Sequence, residues 1–160
     1  LITEKAIGVF TRHGVLSDVE LHSRAEITYE AYINQITIEA RTMLDMASKQ
    51  IRPAVMKYSG MLANDINSII AAGGDPSVEK EILGKVTENL KEFNNALKHL
   101  AEVTDKAVNF EGETAEKAVY FKDAVAVAME ELRKPADELE LIVDQKVWPF
   151  PTYGELLFNI

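Results

Sequence analysis

The sequence contains no cysteine. That excludes disulfides and thiolate metal sites, and it leaves the redox compartment undetermined. It has no apolar run near the roughly 20 residues needed to cross a bilayer, and no signal peptide ahead of its first helical segment. Positive charge is scarce: 17 Lys and Arg stand against 26 Asp and Glu, a formal net charge of −9. Such a surface repels phosphate backbones and anionic lipid, so neither nucleic acid nor a membrane is an expected partner. Glycine and proline number only 8 and 5 in 160 residues, so breaks are few and the segments between them are long.

What is present is helical. The chain is long enough for one domain with a real core, and 47% hydrophobic residues rule against disorder. It opens on Leu1 rather than Met, as expected of a processed chain or of a piece of something longer.

A short helix is expected from Thr3 to His13. Thr3 caps its first turn, Glu4 suits the positive end of the dipole, and Gly14 ends it in a left-handed conformation. Ser17-Asp18-Val19-Glu20 is a capping box. From there apolar residues recur at threes and fours: Ala25, Tyr29, Tyr32, Ile36, Ala40, Met43, Ala47 and Ile51, continued by Ala54, Tyr58, Leu62, Ile66 and Ile69. Only Pro53 interrupts before Gly73-Gly74, and it predicts a bend rather than a stop. An unbroken helix there would span roughly 80 Å.

Asp75 reads as the cap of the next helix, with Pro76 as its first residue. Its stripe runs through Val78, Ile82, Val86, Leu90, Phe93, Leu97, Leu100, Thr104 and Ala107, to about Phe110. These steps approach the heptad pattern of helices crossing at a shallow angle. Only Gly112 argues for the next break. A further helix follows from Thr114 to Val143, with Ala118, Phe121, Val125, Ala128, Leu132, Ala136, Leu139 and Val143 on one face and a kink expected at Pro135.

Short turns between long amphipathic segments imply antiparallel neighbours. The expected fold is all-α: an antiparallel bundle of three long helices with a short N-terminal helix, over residues 1–147. Residues 148–160 form an extended aromatic and proline tail. Two prolines between Trp148 and Tyr153 exclude helix as far as Gly154, which permits a turn, after which Glu155 to Phe158 can form one more helical turn. Trp148, Phe150, Tyr153, Leu156, Leu157 and Phe158 are the candidate interface. So much apolar area on a terminus packs either on its own bundle or on another domain.

The search for chemistry is otherwise negative. None of His13, His22 and His99 has Glu three residues before it, so the di-metal bundle motif is absent. His22 and Glu26 share a helix face and read as a surface pair. Gly73-Gly74 lacks the lysine and preceding strand of a phosphate loop. Glu130, Glu131, Asp137, Glu138 and Glu140 read as a solvated face, and Tyr29, Tyr32 and Tyr58 as core. No catalytic, cofactor-binding or metal residue is assigned.

Several strings resemble the C-terminal region of type III glutamine synthetases. They are Glu20-Leu21-His22-Ser23-Arg24, Thr37-Ile38-Glu39-Ala40-Arg41-Thr42-Met43-Leu44-Asp45-Met46-Ala47, Pro53-Ala54-Val55, Ala128-Met129-Glu130-Glu131-Leu132-Arg133 and Pro135-Ala136-Asp137. Trp148-Pro149-Phe150-Pro151-Thr152-Tyr153-Gly154-Glu155-Leu156-Leu157-Phe158 is the most specific. The resemblance implies a cytoplasmic parent enzyme that joins ammonia to glutamate with ATP and divalent metal such as Mg, built from hexameric rings. It implies partners in the remainder of that enzyme and its neighbouring subunits. The family's metal, ATP and catalytic residues lie upstream of this region, so none is carried over. The competing reading is a free-standing helical interaction or sensor module, which has no need of the aromatic tail.

Overall fold

A computed structural model describes residues 2–151 and 153–158, with the side chains of Tyr153, Gly154 and Phe158 outside the described set. Every regular element among the described residues is helical. The short helix α1 spans Glu4–Arg12. The first long helix comprises α2 (Asp18–Met46), a π-helical turn (Ala47–Ile51) and α3 (Arg52–Ala71). The second is α4 (Ser77–Val108). The third comprises α5 (Thr114–Tyr120), a π-turn (Phe121–Val125) and α6 (Ala126–Ile142). A last short helix, α7, spans Tyr153–Phe158.

Local chemistry sets the boundaries. The Thr3 hydroxyl accepts the Ala6 amide at 3.3 Å. Ser17 and Glu20 complete the capping box: the Glu20 carboxylate accepts the Ser17 amide at 2.8 Å, and the Ser17 hydroxyl accepts the Glu20 amide at 3.3 Å. The first long helix closes on Gly73 and Gly74, whose amides bond back to Ile70 and Ile69. Gly73 has φ +79, which suits glycine. A Cβ on Gly74 would lie 2.9 Å from the Ile69 side chain. Two different constraints thus require the glycine pair.

The start of α4 differs by one residue from expectation. Pro76, at φ −90 and ψ 30, stays outside the helix. Pro76 therefore takes the cap position expected for Asp75, and Asp75, one residue further out, accepts the Ser77 amide at 3.2 Å. The break that only Gly112 signalled is real: a Cβ there would come within 2.8 Å of the Phe110 ring. Across it, Lys117 Nζ donates to the Val108 carbonyl at 2.8 Å, closing the end of α4.

The core sits on heptads. In α4, Val86, Phe93, Leu100 and Ala107 are buried in steps of seven. In the third helix, Ala118, Val125, Leu132 and Leu139 form one such series, and Phe121, Ala128 and Pro135 a second. A repeat of seven is what shallow helix packing demands. The first helix breaks the count. Ala40 and Ala47 are seven apart, but the next fully buried residue is Val55 rather than Ala54, followed by Leu62. The extra residue is taken up in the π-turn, where the Arg52 amide reaches Ala47 O. Pro53 follows at once, with no amide to give to an α-helical ladder. Neither Pro53 nor Pro135 ends its helix. The π-turn at Phe121–Val125 has no counterpart in the sequence pattern.

Among its described residues the tail departs from the expected extended strap as far as Gly154, while the helical turn expected over Glu155 to Phe158 is present; residues 152, 159 and 160 lie outside the described residues. The Asp144 carboxylate accepts the Lys146 amide at 2.7 Å, and the Asp144 carbonyl accepts the Val147 and Trp148 amides at 2.8 and 2.9 Å. The chain therefore turns before the prolines begin. It re-enters helix at Tyr153, immediately beyond the reach of Pro151, so Tyr153 and Gly154 are helical rather than irregular.

Candidate interaction surface

The tail divides into two parts. Val147 and Trp148 pack against the bundle core. Phe150 meets the Trp148 ring edge to face, with centroids 6.2 Å apart and planes at 78°, a favoured aromatic geometry. Beyond Pro151, Leu156 and Leu157 are 65% and 70% exposed. Of the six interface candidates, Trp148 and Phe150 are half-buried on this chain and Leu156 and Leu157 face solvent. Tyr153 and Phe158 lie outside the described side chains. The Trp148 indole Nε1 is buried and has no hydrogen-bond acceptor among the described residues, an arrangement that native structures seldom tolerate.

A second surface lies partly on the apolar stripes. An apolar groove of about 410 Å³ lies between α2 with its π-turn and α6. Ile38, Thr42, Met43, Met46 and Ala47 line one wall, and Met129, Leu132 and Ala136 the other, with Phe93 of α4 also contributing. Glu39 and Arg133 are its charged lining residues. Glu39 accepts from Gln35 Nε2 at 2.9 Å, and Arg133 Nε lies 3.4 Å from Asp137. Ile38 is 66% exposed, a large aliphatic side chain at the edge of an apolar depression. Three methionines supply adaptable packing. The groove's sequence signal is the clustering of Ile38, Met43 and Met46, which core packing also produces.

The polar side chains are dispersed. His22 Nδ1 lies 3.0 Å from the Asp18 carbonyl oxygen and 3.3 Å from its carboxylate. Glu26 instead accepts from Thr114 at 3.4 Å, so the expected His22–Glu26 surface pair is replaced by contacts on each side. His99 meets Glu131 at 3.2 Å across α4 and α6, both of them largely exposed. The acidic run on α6 faces solvent, while Tyr29, Tyr32 and Tyr58 are half-buried. The Glu20 carboxyl is held below its ordinary range by the Ser17 amide first and then the Ser17 hydroxyl. Glu81 is lowered by its bond to Lys85. Both act locally at the surface. Among the described residues no three His, Asp or Glu side chains converge to hold a metal ion. No described helix is long and apolar enough to cross a membrane.

The described residues form a helical bundle with two apolar surfaces and dispersed ionisable groups. Sequence comparison says what it is similar to. The sequence model for the glutamine synthetase C-terminal domain matches residues 1–69. The glutamine synthetase of Butyrivibrio fibrisolvens is 35% identical over 161 residues, covering 99% of this chain and 23% of that protein. The type-3 glutamine synthetase of Dictyostelium discoideum is 33% identical over 98% of this chain and 22% of its own length. A glutamine synthetase from Bacteroides fragilis (strain YCH46) is 26% identical over 91% and 21%. The first 69 residues of this chain thus match the glutamine synthetase C-terminal domain, and nearly its whole length is similar to the corresponding part of these glutamine synthetases. The chain spans less than a quarter of the length of these curated relatives.

Proposed function

We propose that this chain is the accessory and assembly domain of a type III glutamine synthetase, and that it carries none of the active site. The parent reaction is the ATP-dependent ligation of ammonia to glutamate in the cytoplasm, with ATP and Mg held by the portion of the enzyme outside this segment. Its partners are the remainder of that enzyme and neighbouring subunits. The observation that carries this reading is the alignment itself, which takes in nearly the whole chain but only about a quarter of each relative.

The aromatic tail is the assembly element in this reading. Its first half is fastened to the bundle through Trp148, and its second half presents Leu156 and Leu157 outward. Such apolar side chains are each worth roughly 1.5–3 kcal/mol when buried, and the tail prolines reduce the entropy lost on ordering.

The test is truncation after Lys146 in two contexts. In the 160-residue chain, loss of the Trp148 packing should lower the melting temperature by about 4–8 °C. In the full-length enzyme, the same cut should impair ring assembly, read by size-exclusion chromatography with light scattering. Normal assembly of the truncated enzyme would refute the assembly role.

A further inference from the structure

We infer that a small pocket between α2 and α4 binds a short zwitterion, a free amino acid whose carboxylate meets Arg41 and whose ammonium group meets Asp105. The inference is independent of the assembly role of the tail.

The pocket has a volume of about 200 Å³ and lies where the two helices pack together. Arg41 and Leu44 of α2 form one side, and Ala101, Thr104, Asp105 and Val108 of α4 the other. Two independent observations point to a ligand there.

The first is charge. Arg41 and Asp105 line the same small opening with opposite signs, yet they form no ion pair with each other. Other cations of the long helices, Lys49, Lys85 and Arg133, each meet a carboxylate four residues away. Asp45 stands at that spacing from Arg41, but Lys49 occupies it. Among the described residues the Arg41 side chain has no ion pair and no hydrogen bond. The Asp105 carboxylate receives the Asn109 side-chain amide at 3.4 Å. A simple anion would be drawn by Arg41 and repelled by Asp105, and a simple cation the reverse. A ligand carrying both charges satisfies both.

The second is Thr104. It is 4% exposed, and its hydroxyl has no hydrogen-bond partner among the described residues. Thr11, Thr28, Thr37, Thr42 and Thr87 all donate to the carbonyl four residues back, at 2.7–2.8 Å. The same outlet, the Leu100 carbonyl, is not used by Thr104. A buried hydroxyl that its own helix leaves unpaired is costly, and this one belongs to the wall of the charged pocket. Leu44, Ala101 and Val108 suit the short hydrocarbon spacer between the ligand's charges. The volume lies below the roughly 300 Å³ at which drug-sized pockets begin, so the ligand is small.

The test is titration of the 160-residue chain with glycine, β-alanine and γ-aminobutyrate, in which the charges stand progressively further apart. Binding is read from amide NMR shifts of Arg41 to Leu44 and Ala101 to Val108. At least one of the three should saturate these shifts at millimolar concentration. Acetate and methylammonium, each carrying half of the ligand, should bind about tenfold or more weakly. Arg41→Gln and Asp105→Asn are surface changes that leave the core intact, and each should weaken binding about tenfold. Thr104→Val removes the hydroxyl at constant shape. It should weaken binding while leaving the melting temperature of the free chain unchanged or raised. Absence of saturable shifts with all three zwitterions overturns the inference. So does acetate binding as tightly as they do, which would reduce the site to an anion contact of Arg41. Unchanged binding in either charge variant, or a Thr104→Val chain that melts lower, overturns it as well.

Discussion

The first and third long helices each contain one proline and one π-turn, and they use them differently. In the first, Pro53 is exposed and follows the π-turn directly, and the buried series slips from a step of seven to a step of eight between Ala47 and Val55. In the third, Pro135 is itself buried on a heptad position, ten residues beyond its π-turn, and the steps remain seven throughout. One proline stands where the backbone must be rewound. The other fills the core. The same residue in the same kind of helix therefore carries different consequences, decided by which face it occupies.

The comparison breaks most readily at the slipped register. Val55→Asp places an unpaired charge at a fully buried position and should cost more than about 4 kcal/mol or prevent folding. Ala54→Asp, at the half-buried position favoured by the uninterrupted stripe, should cost at least about 2 kcal/mol less. Urea denaturation of the two variants decides it, and equal losses would remove the eight-residue step.

The prolines give a smaller contrast. Pro53→Ala restores an amide at an exposed site and should stabilise the chain by about 1 kcal/mol. The π-turn should persist, because the position of Val55 in the core still requires it. Pro135→Ala should change stability by less than about 0.5 kcal/mol, since the gain in helix propensity is offset by lost ring packing. A larger gain at Pro135 than at Pro53 would invert the distinction.

The smallest effect belongs to the start of the first helix. Glu20 is held below the ordinary glutamate value in the folded chain by its bonds to Ser17. A carboxyl depressed by folding contributes stability above its unfolded pKa and loses it as pH falls through the folded one. Melting of the parent chain should therefore fall on acidification over that range, and Glu20→Gln should flatten the fall. An identical acid profile in both proteins would show that the capping box carries no measurable share.

The capping box, the glycine turns, the three-helix count and most of the apolar faces were legible in the sequence, because each is fixed by residues within a few positions of one another; the exceptions are Ala54, where Val55 is buried instead, and Val78, which is exposed. The Trp148 to Phe158 candidates were also visible, but not their division into a packed half and an exposed half. That depends on Asp144 turning the chain back toward the bundle.

What the sequence determined by itself is helical periodicity and its punctuation, since side chains three and four apart meet on one turn regardless of what lies beyond. What only the tertiary structure decided is the register at Val55, the partners of His22 and Glu26, and the groove. The slip at Val55 depends on α4, dozens of residues away, against which α3 packs. The groove depends on Ile38 and Met129 being brought to opposite walls. Contacts between distant helices are set by how three surfaces interlock at once, and no single stretch of sequence contains that information.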